Sequence, residues 1–426
     1  MINMKIETKC IQEGYKPKNG EPRVLPIYQS TTYKYDSADY MGKLFDLEAE
    51  GFFYTRLANP TVACVEEKIA KLEGGVAAMM TSSGQAATLM SVMTIAKAGD
   101  HIVCSAAVYG GTFNLLGVTL EKFGINVTFV DPDAPVDELQ KAIRPETKAV
   151  IGETIANPAL NVLDIEKFAE LAHSNNIPLI VDNTFATPVL CRPIEFGADI
   201  VIHSTSKYMD GHAVSLGGVI VDSGKFKWLG NDKFPEFNVA DESYHGVTYA
   251  KDFGEMAFIT KARAQLMRDL GSSPSPQNAF LLNLGLETLH LRMPCHSENA
   301  LKVAKHLENH PQISWINYPG LESSKYKPLV EKYLQNGASG VISFGVKGGR
   351  EACIKFLDSL KLAAIVTHVA DARTCALHPA STTNRQMTDE QLLAGGISPD
   401  LVRFSVGIEN AEDIIEDIEN ALAQMK

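Results

Sequence analysis

The sequence predicts an α/β protein built on a mostly parallel sheet, and two observations carry the prediction. First, short apolar runs rich in β-branched residues recur between Ala77 and Thr205, separated by stretches of helical periodicity. Second, polar signals follow several of these runs at the same end. Ser82–Ser83–Gly84 follows "AAMM", Asp182 ends "PLIVD", and Ser204 to Lys207 follow "DIVIH". In open parallel sheets, ligands bind beyond the carboxyl ends of the strands, so convergence on that edge marks a candidate site.

Taken in order, residues 1–60 show weak periodicity and read as an extended arm with short elements. A helix starts at "NPTVACVEEKIAKLEGG". Asn59 caps it, Pro60 takes the first helical position and Gly74 stops it, with Val62, Val65, Ile69 and Leu72 on one face. The runs "AAMMTSSG", "HIVCS", "NVTFVD", "KAVIGET", "PLIVDN" and "DIVIHST" then read as strands, and "DIEKFAELAHSNN" as one of the helices between them. Residues 223–265 lose the alternation and read as a long excursion. A second α/β unit follows, with strands in "GVISFGV" and "LVRFSVGI" and amphipathic helices in "REACIKFLDSL" and "AEDIIEDIENALAQM".

Bulk properties exclude several classes. The chain has 426 residues, with 45% hydrophobic and 21% charged, ordinary globular usage that supports a sizeable core. A net charge of −12 argues against binding to a nucleic-acid backbone, which needs basic stripes. Seven scattered cysteines without a C-x-x-C pair suit reduced thiols. The opening "MINMKIETKC" lacks the apolar core of a signal peptide, and no run reaches membrane-spanning length. A soluble cytoplasmic protein is expected. No G-x-G-x-x-G, G-x-x-x-x-G-K-[ST] or H-E-x-x-H occurs, so neither a dinucleotide motif, a P-loop nor a zinc site is predicted.

The stretch "VIHSTSKYMDGH" leaves two chemistries open. Ser204 and Lys207 stand in S-x-x-K spacing, which acyl-transfer enzymes use, but the companion S-D-N and K-T-G tripeptides are absent. Alternatively the lysine is the reactive group, forming a Schiff base with a carbonyl compound such as pyridoxal phosphate. That chemistry demands an acid for the pyridinium nitrogen, a phosphate cup, a flat side chain over the ring and an arginine for a carboxylate. Asp182 supplies the acid, against the plainer reading of a turn aspartate. Ser83, Gly84 and Gln85, between a strand and a helix, supply the cup, against a simple cap; Ser204 and Ser206 add hydroxyls. Tyr109, in the Gly-rich "AAVYGGT", supplies the ring. Arg403 is a charge inside an apolar strand, where an unpaired cation is costly; either a structural ion pair or a ligand carboxylate must answer it.

At these residues the chain resembles the Cys/Met-metabolism family of fold-type I pyridoxal phosphate (PLP) enzymes, and within it the O-acetylhomoserine sulfhydrylase branch. The likeness rests on "YTRLANPT", "TSSGQAA", "VYGGT", "ETIANP", "VDNTFATP", "HSTSKY", "HPASTTNRQ" and "LVRFSVGIEN", in order along nearly the whole chain, with "SYHGVTYA" pointing to the branch. The resemblance implies an N-terminal arm over 1–60, a PLP-binding domain over 61–265 and a smaller C-terminal domain over 266–426. It implies that Lys207 carries the cofactor and moves protons and that Asp182 pairs with the ring nitrogen. It places Tyr109 on the ring and the phosphate on Ser83, Gly84, Gln85, Ser204 and Ser206. Asn157 and Arg403 would hold the substrate carboxylate. Tyr54 and Arg56, on one face of an extended segment, would reach the phosphate of a neighbouring subunit in a homotetramer made of two dimers. The implied activity is γ-replacement of acetate in O-acetyl-L-homoserine by sulfide or a small thiol. The alternatives are a γ-lyase acting on methionine, homocysteine or cystathionine, and a synthase using cysteine or an O-succinyl ester. A further alternative keeps the fold as a scaffold without turnover. Three departures stand out. Gly111 replaces the cysteine of the methionine γ-lyase branch. His368 and Ala370, in "THVAD", replace Ser or Asn and Gly. Asn384 replaces a histidine.

Overall fold

The computed structural model describes residues 4–425 apart from 335, 384, 386, 387, 395 and 396, so Asn384 lies outside the described residues. Seven strands form the large sheet: β1 (Ala77–Thr81), β2 (His101–Ser105), β3 (Asn126–Val130), β4 (Thr147–Glu153), β5 (Leu179–Asp182), β6 (Ile200–His203) and β7 (Gly218–Asp222). Their order is β1-β7-β6-β5-β4-β2-β3. The strands from β6 to β3 run parallel, whereas β7 is antiparallel to both β1 and β6. β1 therefore points the same way as the parallel set, and the ends of β1, β2, β4, β5 and β6 share one edge.

The six strands read from the sequence are all present; β7 was not singled out. It is a continuous apolar run, "GVIVD", buried on both faces, and such a run has no periodicity to reveal its direction. The central strands β2 and β6 are likewise buried throughout, and each enclosed Val or Ile contributes about 1.5–3 kcal/mol.

The helix Pro60–Glu73 forms as its sequence dictates. Asn59 Oδ1 accepts from Thr61 N–H at 2.9 Å, and Gly74 takes the left-handed conformation at φ 81° that ends the helix without a Cβ penalty. The same Asn59 ties down the arm, since its Nδ2 donates to Tyr28 O at 2.8 Å and Tyr33 Oη at 3.0 Å. The arm carries two short helices, Ile6–Gln12 and Ala38–Phe45.

Residues 223–265 are an excursion from the sheet, organised by aromatic packing. Trp228 stacks on Phe237 at 4.3 Å and meets Phe234 edge-on at 5.1 Å, a preferred geometry for large rings.

The helices Pro276–Glu287 and Leu289–Glu308 lead to a second sheet of five strands, ordered β10-β11-β12-β9-β8. Its members are β8 (Ile313–Asn317), β9 (Val341–Val346), β10 (Ala364–Ile365), β11 (Cys375–Leu377) and β12 (Leu401–Ser405). Only β10 and β11 pair in parallel. The predicted helices stand at Gly349–Ser359 and Ala411–Ala423. The two sheets meet at Tyr208, which is fully buried. Arg292 Nη1 donates to its carbonyl at 2.7 Å, and Gly340 N–H donates to its hydroxyl at 3.0 Å. The backbone beside Lys207 is thereby locked to the smaller sheet. Among the described residues no helix is long and apolar enough to cross a membrane.

Candidate active site

Lys207 sits in the turn after β6, partly accessible. Burial pushes its ammonium down to about 8, and the Arg403 guanidinium adds to that lowering. Its Nζ lies 3.4 Å from His368 Nδ1. No hydrogen bond joins the Ser204 and Lys207 side chains among the described residues. Ser204 instead faces Gly84, where an added Cβ would fall 2.6 Å from Ser204 Cβ. Only glycine permits this approach of the two turns. The S-x-x-K spacing thus builds a cradle rather than a nucleophile–base pair.

That cradle opens on a helix start. Gly84–Ile95 is helical with Ser83 as its cap, and Ser83 Oγ accepts from Ala86 N–H at 3.2 Å. The serine O–H and the first-turn amides of Gly84 and Gln85 then point out of the helix, the anion-binding end of its dipole. Ser206 is buried, with Oγ accepting from Gly217 N–H at 3.0 Å and donating to Gly217 O at 3.3 Å. Its hydroxyl proton is already engaged, so a phosphate would have to compete for it.

Asp182 ends β5. Thr184 donates to its Oδ1 from N–H at 3.0 Å and from Oγ1 at 2.5 Å. Burial raises this carboxyl above the usual carboxylate range, with Thr184 opposing the rise. Beside it, in register across β4 and β5, stands Glu153. Burial, with the charge of Asp182 next, pushes Glu153 well upward. Its Oε2 accepts from Tyr109 N–H at 2.7 Å, so Glu153 holds the loop bearing the tyrosine. Sequence reasoning missed Glu153, although the signal that found Asp182, an acid ending an apolar strand, is present in "KAVIGE".

Tyr109 is about half exposed at 48%. Its ring fills the space beside Gly111, where an added Cβ would fall 2.4 Å from the tyrosine Cε1 and 3.1 Å from Gln85 Nε2. A cysteine at this position has no room without moving the ring. Asn157 is buried after β4, and its backbone N–H donates to the Glu153 carboxylate.

Arg403 projects from β12 and is only 8% exposed. Its Nη2 donates to the carbonyls of Thr367 and His368, each at 3.1 Å. Among the described residues no carboxylate forms an ion pair with it; the Cys375 thiol, the Tyr109 phenol and the Lys207 amine are its titratable neighbours. Among those residues the structural ion pair that the sequence left open is absent. A desolvated guanidinium without a carboxylate is a receptor for one.

The structure thus gathers Ser83, Gly84, Gln85, Tyr109, Asn157, Asp182, Ser204, Ser206, Lys207 and Arg403 around the strand ends. Tyr54 and Arg56 stand apart from this set. Both are exposed, the guanidinium lies 5.2 Å from the Tyr54 ring, and Arg56 Nη1 donates to Arg268 O. Among the described residues no hydrogen bond ties either to the pocket of its own chain. His368 stands out in the sequence as a departure, not as a partner of Lys207; a contact across 161 positions leaves no local signal.

A lysine held by a cup, an acid, an aromatic ring and an unpaired arginine defines a pyridoxal-phosphate enzyme. Residues 7–423 match the model of the Cys/Met metabolism PLP-dependent enzymes, and the chain belongs to that family. The chain is 48% identical to the homocysteine synthase of Schizosaccharomyces pombe, over 98% of both chains. It is 45% identical to the O-acetyl-L-homoserine sulfhydrylase of Leptospira meyeri, over 99% of this chain and 97% of the relative. Among solved structures, a putative O-acetylhomoserine (thiol)-lyase of Campylobacter jejuni, bearing N′-pyridoxyl-lysine-5′-monophosphate, superposes with a TM-score of 0.95 at 37% identity, covering 99% of this chain and 100% of that one. The cofactor is pyridoxal phosphate, and the residues present fit it. The close approach of Gly84 to Ser204 forms the cradle, and the Lys207 amine has its charged form already disfavoured.

Proposed function

We propose that the chain converts O-acetyl-L-homoserine and sulfide, or a small thiol, to L-homocysteine, or methionine, and acetate. The observation that carries this reading is the pairing of Lys207, lowered to about 8, with a buried Arg403 that has no carboxylate of its own. The relatives' activities point to the same reaction. Bound at Lys207, pyridoxal phosphate supplies an electron sink for charge developing at the substrate α-carbon.

The protein residues then divide the work. Ser83, Gly84, Gln85 and Ser204 hold the phosphate, with Ser206 behind them. Asp182 holds the ring nitrogen protonated, with Thr184 fixing its Oδ1. Tyr109 covers the ring. Arg403, with Asn157, grips the α-carboxylate, which aims the α-hydrogen at Lys207. The Lys207 amine takes that proton and must give it up before it takes one from the β-carbon. Acetate then departs from the γ-carbon with the bonding electrons, sulfide adds there, and the protons return to the β- and α-carbons. A lysine lowered to about 8 spends part of its time neutral near neutral pH, as a base must. Gly111 leaves the Tyr109 ring in place, and the absence there of the cysteine of the γ-lyase branch counts against that alternative.

The assembly proposed is at least a dimer, and a tetramer as a pair of dimers, in the cytoplasm. Residues 1–60 form its arm, 61–265 hold the cofactor and 266–426 close the site. Tyr54 and Arg56 would complete the phosphate site of a neighbouring subunit, which accounts for their exposure in the single chain. Mixed oligomers of Arg56→Ala and Lys207→Ala chains should recover activity that neither has alone; no recovery would refute the shared site.

The function is tested by a visible spectrum before and after borohydride, with mass analysis of the Lys207 peptide, and by product analysis with O-acetylhomoserine. A reduced pyridoxyl group on Lys207, and homocysteine as the product with sulfide, are expected. α-Ketobutyrate as the main product despite sulfide would overturn replacement in favour of elimination.

A further inference from the structure

His368 stands where no step above uses it, and its placement is over-determined. It lies on the loop between β10 and β11. Arg403 grips the carbonyls of Thr367 and His368 at 3.1 Å each, and Cys375 Sγ donates to the His368 carbonyl at 3.5 Å. Two residues on, Ala370 N–H donates to Ser405 Oγ at 2.9 Å. Four hydrogen bonds at three backbone atoms thus fix the segment that carries the imidazole.

The ring has a donor on one side and an acid on the other. Nδ1 lies 3.4 Å from Lys207 Nζ, and Nε2 lies 3.8 Å from Asp371 Oδ2. Nε2 is enclosed and has no hydrogen-bond partner among the described residues. Asp371 is itself held: its Oδ1 accepts from Arg373 N–H at 2.6 Å and from Arg373 Nε at 3.3 Å, and its Oδ2 accepts from Arg373 Nη2 at 3.4 Å, so the carboxylate is shared between Arg373 and the ring. A lysine ammonium can only donate, so the contact requires a lone pair on Nδ1 and places the proton on Nε2, toward Asp371.

We propose that His368 is the proton partner of Lys207, its Nδ1 orienting the amine and receiving the proton that Lys207 collects, with Asp371 stabilising the imidazolium that results. The balance is simple. An N–H bond on Lys207 Nζ breaks, one on His368 Nδ1 forms, and the positive charge moves from the lysine to the ring and towards the Asp371 carboxylate. The return transfer reprotonates Lys207. The charged groups around the ring compete: Lys207 and Arg403 oppose its protonation, while Asp371 and Asp210 favour it. Burial tips the balance downward, so the resting ring is neutral with its Nδ1 lone pair free. Because Lys207 at about 8 is the stronger base, the transfer to the ring runs uphill, is transient, and returns to Lys207. The inference rests on Lys207 being the reactive amine.

The test reads the coupling without turnover. In the cofactor-free full-length chain, slow exchange of histidine C2 hydrogens, followed by mass spectrometry across pH, reports each ring's protonation. Lys207→Met removes the opposing cation. The protonated fraction of His368 at pH 6 should then rise roughly threefold, with His173 unchanged as an internal control. In the loaded enzyme, His368→Gln keeps an acceptor but cannot take up a proton. It should leave KM within about twofold, lower kcat by about 10²-fold and remove the acid limb of the pH profile. An unchanged His368 profile in Lys207→Met, or an unaltered pH profile in His368→Gln, overturns the proposal. A chain that carries no pyridoxyl group on Lys207 yet retains the coupling refutes the proposed function and not the pair.

Discussion

Two histidine clusters flank the same turn, and they behave in opposite ways. Behind it, His203 Nε2 meets Glu73 Oε1 at 2.6 Å, with both side chains wholly enclosed, and Asn183 Nδ2 donates to the same oxygen at 2.9 Å. In front of it, His368 holds Lys207 at 3.4 Å and Asp371 at 3.8 Å in a partly open pocket. The residue types are nearly alike. The rear cluster is short, sealed and tied to the end of the helix Pro60–Glu73. The front cluster is longer, and its lysine and histidine are partly accessible. Burial and distance, not residue identity, separate a clamp from a proton device.

The contrast breaks most visibly at Lys207. Lys207→Ala should lower kcat/KM by ~10⁴-fold or more while leaving the fold intact. Steady-state assays beside circular dichroism check both halves; substantial residual activity would remove the front cluster from the chemistry. The rear cluster should show the reverse. Glu73→Ala leaves His203 and Asn183 without their shared acceptor, at a cost of about 3–5 kcal/mol in denaturant unfolding. A stability change below about 1 kcal/mol would show that the clamp is ornamental.

A subtler test uses pH. In the cofactor-free chain, where its amine is unmodified, Lys207 is lowered to about 8 from an unfolded value near 10.5, so burying its charge opposes folding. The penalty is full below pH 8 and disappears as pH rises towards 10.5, where both states are neutral. The wild type should therefore gain up to ~3 kcal/mol relative to Lys207→Met across that window. Comparing the two proteins cancels the cysteine titrations they share; parallel curves would mean that the lysine is not buried as a cation.

The smallest effect concerns the loop beneath His368. Ala370 is buried at φ 68°, a left-handed conformation that glycine adopts freely. Ala370→Gly should stabilise the chain by about 1 kcal/mol in chemical denaturation. It should also loosen the front cluster, read as a weaker His368–Lys207 coupling. No stabilisation would show that the loop is relaxed with alanine.

Much of this was legible in the chain. The six strand runs, the helix from Pro60 to Gly74 and the cup at Ser83–Gln85 depend on local periodicity and capping, so they survive folding unchanged. The site residues at the strand ends were legible because a polar group closing an apolar run is costly to bury without a partner or a ligand. Glu153 carries the same mark and was passed over. The strand β7 and most of the antiparallel second sheet were not legible, because pairing direction depends on partners distant in sequence.

By itself the sequence determined which elements form and which chemistry is on offer, since propensity, caps and the donor inventory of each side chain are local properties. Only the tertiary structure decided which groups meet. It placed Ser204 against Gly84 rather than beside the lysine amine, left Arg403 without a carboxylate, and brought His368 to Lys207. Each of those outcomes turns on distance and desolvation, which exist only once the chain has closed around the site.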